Sequence, residues 1–192
     1  MGKEKSQYDG WLDKYFTDTG KNGTILELGC GWGDDTAFLA KTGYNIISCD
    51  YSDCAIRNVQ KHYPTVTVNR LNLLEPLPFG SAFADIVIAS LCLHYFTDSD
   101  MRQILAEIGR VVKQNGMFLC RLNSENGRRL GVEGETELEP GVYMTKNGIK
   151  RFFTEITIRN VFQNWIITHI EEYRTNKFSN NICLFEIAMC HR

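Results

Sequence analysis

Ile25-Leu26-Glu27-Leu28-Gly29-Cys30-Gly31-Trp32-Gly33-Asp34-Asp35-Thr36 decides the fold of this chain. An apolar run of strand length gives way to three alternating glycines and then to a polar start of helical pattern. Glycine lacks Cβ, so the backbone there turns sharply and admits a ligand close to the main chain. In a parallel α/β sheet this junction is the carboxyl end of the first strand, where strand order reverses and ligands bind.

Working outward, short apolar runs alternate with amphipathic segments, the pattern of a parallel α/β sheet. A leading helix is expected over residues 7–18, with Leu12, Tyr15 and Phe16 on one face. Strand one spans 24–28, a helix 34–42, strand two 45–49, a helix capped by Ser52 and ended by Pro64, and strand three 66–71. Ala84 to Ser90, with its unbroken Asp-Ile-Val-Ile-Ala run, is a strand expected at the sheet centre with both faces covered. An amphipathic helix over 98–112 and a turn at Gln114-Asn115-Gly116 lead to strand five, 117–122. Residues 123–150 are polar and glycine-rich, too long for a plain connector, and read as a functional loop or lid. Thr154 caps a last helix, and 165–173 and 181–189 close the chain as an antiparallel pair.

The 192 residues carry 43% hydrophobic and 23% charged side chains, which fits one globular domain, 1–192, with its own core. A net charge of −2 argues against a nucleic-acid footprint over a whole face. Seven scattered cysteines without a CxxC pair read as buried free thiols of a reducing, cytoplasmic setting, with no metal expected. The longest apolar run, Ile86 to Leu93, is far below the ~18 residues of a membrane span, so no membrane role is expected.

Two nucleotide-type ligands compete for the glycine loop. A dinucleotide site needs G-x-G-x-x-G and a pyrophosphate on the next helix N-terminus. The spacing here is G-x-G-x-G, and Asp34 and Asp35 occupy that helix start, where they would repel a pyrophosphate. An adenosyl ligand without phosphate fits better, and Glu27 adds a carboxylate favouring a cationic one. Asp50, about twenty residues past the first glycine, suits two ribose hydroxyls. Asn72 at the end of strand three suits the adenine edge, with Leu73 or Tyr51 against the ring.

Four ordered blocks carry a resemblance: 26–33, Cys49-Asp50-Tyr51-Ser52, 72–79 and 84–95. Together they resemble the class I S-adenosylmethionine-dependent methyltransferases, of the small-molecule group. The resemblance implies a Rossmann-like, mostly parallel seven-stranded sheet with a C-terminal antiparallel hairpin and helices on both faces. It implies S-adenosylmethionine as cofactor and S-adenosylhomocysteine as product, held by Glu27, Gly29, Cys30, Gly31, Gly33, Asp50, Tyr51, Asn72, Leu73 and Ser90. The family usually has Asp where this chain has Asn72; Asn still accepts a hydrogen bond from the adenine amino group. Ser90-Leu91-Cys92-Leu93-His94 lacks the (Asp/Asn)-Pro-Pro-aromatic motif of DNA amino-methylating enzymes, so DNA is disfavoured.

A small-molecule acceptor is the leading class. An RNA or protein acceptor, and a non-catalytic S-adenosylmethionine-binding module, stay open as alternatives. His94 is the candidate general base, since an ordinary histidine pKa near 6.5 suits proton removal. Tyr8 and Trp11 on the leading helix, Arg121 and Asn123 with Ser124 at the end of strand five, and Tyr143 in the lid are the candidate acceptor contacts.

Overall fold

A computed structural model describes residues 8–17, 22–130, 135–175 and 182–191, the side chains of 128–130 excepted. The central strands are β1 (Thr24–Leu28), β2 (Asn45–Asp50), β3 (Thr67–Arg70), β4 (Ala84–Ser90) and β5 (Val112–Asn123). After three short strands, β6 (Thr136–Glu139), β7 (Val142–Thr145) and β8 (Gly148–Arg151), come the long β9 (Trp165–Thr175) and β10 (Ile182–His191). The main sheet runs β3-β2-β1-β4-β5-β10-β9. Strands β3, β2, β1, β4 and β5 are parallel, and β10 enters antiparallel between β5 and β9. Leu28 lies level with Cys49 of β2 on one side and Ala89 of β4 on the other. The chain leaving β1 therefore emerges at the switch point between them.

Strand alternation builds a core on each face. Leu26, Leu28, Val87 and Phe118 point one way, against Ile104 and Ile108 of α3 (Asp98–Val111) and Ile158 of α4 (Glu155–Val161). Ile25, Ile86, Ile88 and Leu119 point the other way, against Leu39 of α1 (Asp34–Leu39), Val59 of α2 (Asp53–His62) and Leu12. Each fully buried Leu or Ile contributes about 1.5 to 3 kcal/mol over the exposed state. The helices start where the sequence supplies caps. Ser52 Oγ accepts from Ala55 N at 3.4 Å, Thr97 Oγ1 from Asp100 N at 3.2 Å, and Thr154 forms a reciprocal capping box with Thr157.

Three expectations need correction. Within the described part of 7–18 there is no continuous helix, only a 3₁₀ turn at Asp13–Tyr15. Gly10 adopts φ +83°, and the Tyr8 hydroxyl accepts from Leu12 N at 2.9 Å, doing the work of a helical carbonyl. The lid of 123–150 is also more ordered than a loop. A 3₁₀ segment, Glu125–Leu130, leads past residues outside the description into the antiparallel sheet β6-β7-β8. Gly141 at φ +77° and Gly148 at φ +100° make its two turns. Strand β5 starts earlier than expected, at Val112, and absorbs the anticipated turn as a register irregularity with Asn115 at φ 61°.

All seven cysteines are free thiols; five are buried, Cys190 is partly so and Cys54 is exposed. No helix among the described residues is long and apolar enough to cross a membrane.

Candidate functional site

The three glycines after β1 have different duties. The loop is pinned to β2 because Gly29 N and Cys30 N both donate to the Cys49 carbonyl, at 2.8 and 2.9 Å. A Cβ at Gly29, φ +72°, would lie 2.4 Å from Cys92 Cβ; one at Gly33, φ +85°, would press on Val59 and Tyr63 at 3.1 Å. At Gly31, φ +51°, a Cβ would meet nothing within 4 Å. Gly29 and Gly33 let the loop pack, whereas Gly31 faces open space. Gly31 N donates to Asp50 Oδ2 at 2.9 Å, and Ser52 N donates to Asp50 Oδ1 at 2.8 Å. The carboxylate at the end of β2 is thus fixed, and its remaining lone pairs can still accept hydroxyl donors.

The space beside Gly31 is a cavity of about 580 Å³, within the size range of small-molecule sites. Its walls are Gly29, Cys30 and Gly31; Ser90 at the end of β4 and Leu91 after it; His94 and Tyr95 in the 3₁₀ turn Leu93–Tyr95; and Arg121 and Asn123 at the end of β5. The β7–β8 hairpin closes it with Lys146, Asn147, Ile149 and Lys150. Leu91 sits at φ 55°, a strained conformation for a branched residue, held by Leu91 N donating to Arg121 O at 3.0 Å. Strain of this sort costs of order 1 to 3 kcal/mol and persists where the surroundings hold it.

Beneath the loop, Glu27 is buried, and the Thr36 hydroxyl donates to its Oε2 at 2.7 Å, with Ser48 donating to the same oxygen. Burial pushes its carboxyl up to about 7, with Asp35 and Asp50 adding to the rise and the two hydroxyls opposing it. It is a buried floor for the loop whose carboxyl is biased toward its protonated form.

Arg121 is almost fully buried yet richly partnered. Its Nε donates to Ser90 Oγ at 2.9 Å, its Nη1 to Asp9 Oδ2 at 2.7 Å, and its Nη2 lies 3.6 Å from Asp35 Oδ2. Its guanidinium lies 4.6 Å from the centre of the Trp11 ring, whose indole N–H donates to Asp35 Oδ1 at 2.9 Å. Burial alone would lower its pKa, but Asp35, Tyr173 and Asp9 reverse that and raise it. The network ties the N-terminal segment, α1 and β5 into one wall.

His94 is 5% exposed, and its Nδ1 has no hydrogen-bond partner among the described residues. Burial, aided by the charge of Lys150, pulls its pKa down to about 3, so the ring is neutral at ordinary pH. Tilted against Tyr95 at 4.2 Å between ring centres, it presents a polar atom that a bound molecule would satisfy.

Of the residues singled out from sequence, Gly29, Cys30, Gly31, Ser90, His94, Arg121 and Asn123 come together around the cavity. Asp50 joins them through Gly31. Glu27 lies beneath the loop, and Gly33 faces α2. Tyr51, Asn72 and Leu73 stand on the β2–β3 side, outside the cavity wall. Tyr51 is exposed with the Arg70 guanidinium 5.3 Å from its ring, and Asn72 Oδ1 accepts from Leu74 N at 3.1 Å. Three acceptor assignments do not hold as direct contacts with the cavity. Tyr8 stacks on Phe38 at 4.8 Å, Trp11 is buried under Arg121, and Tyr143 packs on Phe152 and donates to Glu137 Oε1 at 3.0 Å. The reading from sequence missed Trp32, Leu91, Tyr95 and the hairpin residues Lys146, Asn147 and Lys150. Asn147-Gly148 was the available signal, a common hairpin turn. Among the described residues no group of three or more His, Cys, Asp or Glu is placed to hold a metal ion.

Comparison with known proteins agrees with this geometry. Residues 25–116 match the family described as methyltransferase domain. The fold matches a crystal structure of an S-adenosylmethionine-dependent methyltransferase from Methanosarcina mazei, with a TM-score of 0.81 at 18% identity over 93% of this chain and 96% of that one. Residues 25–116 thus match a methyltransferase domain, and the chain has the fold of S-adenosylmethionine-dependent methyltransferases. A second structural relative is the 1,6-didemethyltoxoflavin-N1-methyltransferase of Burkholderia thailandensis, holding 1,6-didemethyltoxoflavin and S-adenosylhomocysteine. It has a TM-score of 0.72 at 17% identity and covers 94% of this chain and 74% of that one. By sequence, an uncharacterised methyltransferase of Synechocystis is 34% identical over 94 residues, 49% of this chain and 44% of its own length. A phosphoethanolamine N-methyltransferase of Triticum aestivum is 28% identical over 180 residues, 87% of this chain and 36% of its own. A mitochondrial arginine hydroxylase of Homo sapiens is 34% identical over 96 residues, 49% of this chain and 27% of its own. The chain spans about half the length of the first curated relatives it matches.

Proposed function

We propose that the protein binds S-adenosylmethionine and transfers its methyl group to a small-molecule acceptor. The observation that carries the reading is the cavity beside Gly31: one glycine open to space, and about 580 Å³ closed on the far side by the β7–β8 hairpin. The residues fit the cofactor. Asp50 would hold the ribose hydroxyls, Asn72 and Leu73 would meet the adenine with Tyr51, and Gly29, Cys30 and Gly31 would lie under the methionine end. The acidic floor of Glu27, with Asp34 and Asp35 lining the same end, suits a cationic ligand. S-adenosylmethionine, when bound, would supply a methyl activated by its sulfonium, the acceptor bonding to that carbon as the C–S bond breaks and S-adenosylhomocysteine leaves.

The protein's own part is alignment and exclusion of water. Ser90, fixed by Arg121 Nε, and the Leu91 turn shape the wall where cofactor and acceptor meet. His94 is a weak base at a pKa near 3, so its place is to orient the acceptor by a hydrogen bond rather than to take a proton in bulk equilibrium. No strong base is needed when the acceptor is itself nucleophilic.

The test is incubation of purified protein with methyl-labelled S-adenosylmethionine and a cell extract, followed by separation of label into small molecules, RNA and protein. Label in the small-molecule fraction is expected. Transferred label confined to RNA or protein would overturn the acceptor class, and bound cofactor without any transfer would favour a binding module.

A further inference from the structure

The cavity is divided electrically. Its acid side belongs to α1, where Asp34 and Asp35 stand beside the glycine loop; its basic side belongs to the β7–β8 hairpin, which contributes Lys146 and Lys150. Asp35 is committed on both oxygens, to Trp11 and to Arg121. Neither lysine forms an ion pair among the described residues; Lys150 Nζ lies 5.3 Å from the centre of the Phe152 ring. Lys146 is exposed and Lys150 half-buried, so neither ammonium group carries a large cost of desolvation. The unpartnered Nδ1 of His94, 95% buried, lines the same end, close enough to Lys150 to feel its charge. Glu135, just before β6, also lines the cavity and is the one carboxylate on that side among the described residues. Two lysines against one glutamate leave the described residues of that side net positive, opposite to the side we assign to the cationic cofactor.

We propose that the acceptor carries an anionic group, a carboxylate or a phosphate, bound by Lys146 and Lys150, with a polar atom nearer its reactive end meeting His94 Nδ1. This rests on the reading that the cavity holds the acceptor. Opposite charge at the two ends also orients the pair, because an anionic tail on the hairpin side points the rest of the acceptor toward Gly31. Lysine serves either anion as a compact point charge.

The experiment uses the full chain and first titrates S-adenosylhomocysteine, so that failure of the cofactor reading is seen separately. Benzoate, inorganic phosphate and uncharged benzyl alcohol are then titrated, with and without S-adenosylhomocysteine, and binding is followed by amide and His94 ring NMR shifts. Saturable binding of benzoate or phosphate is expected, with shifts at His94, Lys146 and Lys150; which of the two binds tighter distinguishes carboxylate from phosphate. K146M/K150M is expected to weaken that binding about tenfold or more and to leave S-adenosylhomocysteine affinity unchanged, and K146R/K150R to retain it. Benzyl alcohol binding as tightly as benzoate, no saturable anion binding in either state, or undiminished anion binding by K146M/K150M would overturn the proposal.

Discussion

Replacing Gly29 and Gly31 separately by alanine distinguishes the glycine that builds the fold from the glycine that makes room for a ligand. Both stand at positive φ, +72° and +51°, so each alanine carries the left-handed strain of about 1 to 2 kcal/mol. At Gly29 the new Cβ also falls 2.4 Å from Cys92 Cβ and 3.0 Å from its sulfur, beside a fully packed strand end. Overpacking of that kind adds about 1 to 3 kcal/mol. Gly29→Ala is therefore expected to lose roughly 2 to 5 kcal/mol of folding stability, and Gly31→Ala only about 1 to 2. For a chain of this length each kcal/mol lowers Tm by about 2 to 4 °C. Cofactor binding should show the reverse order. A methyl at Gly31 enters the space assigned to the methionine end and should weaken S-adenosylmethionine by about tenfold or more, while folded Gly29→Ala stays closer to the parent. Urea unfolding and calorimetric titration measure the two quantities. Equal destabilisation by both variants, or full affinity in Gly31→Ala, would refute the division of labour.

Asp50→Ala should weaken S-adenosylmethionine binding by about 1.5 to 3 kcal/mol, the range for hydrogen bonds to a charged group, and unchanged affinity in calorimetry would remove the ribose assignment. Arg121→Met leaves the carboxylates of Asp9 and Asp35 without their cation, and should cost about 3 to 5 kcal/mol in urea unfolding. A loss under about 1 kcal/mol would mean water serves those acids equally well. Glu27 has a native pKa raised from 4.5 to about 7, so its stabilising contribution is full below pH 4.5 and is lost as pH rises through about 7. Glu27→Gln should flatten stability across that window, and an unaltered pH profile of Tm would contradict the buried, partly protonated carboxyl.

Much of the architecture was legible because strand and helix periods are strong signals here. Ile25, Leu26, Ile86 and Val87 sit in continuous apolar runs that only a sheet covered on both faces can bury. Asp50 and Gly31 were legible because spacing along β1 and β2 converts directly into adjacency at the switch point. The far wall was not, because it depends on long-range packing. Residues 123–150 look like loop by composition, yet Gly141 and Gly148 fold part of them into a hairpin that carries Lys146 and Lys150 to the cavity. Tyr8 and Trp11 have helical spacing, but Gly10 breaks the helix and a buried arginine draws Trp11 inward. The histidine was found by position, while its low basicity came from burial that no local pattern encodes.

A crystal structure of the protein grown with S-adenosylhomocysteine tests the central claim most directly. The account predicts the ribose hydroxyls on Asp50, the adenine against Leu73 and Tyr51, and the sulfur above Gly31, facing the cavity lined by His94 and Lys150. Ligand bound away from the glycine loop, or the cavity filled by a rearranged β7–β8 hairpin while the ligand is bound, would contradict it.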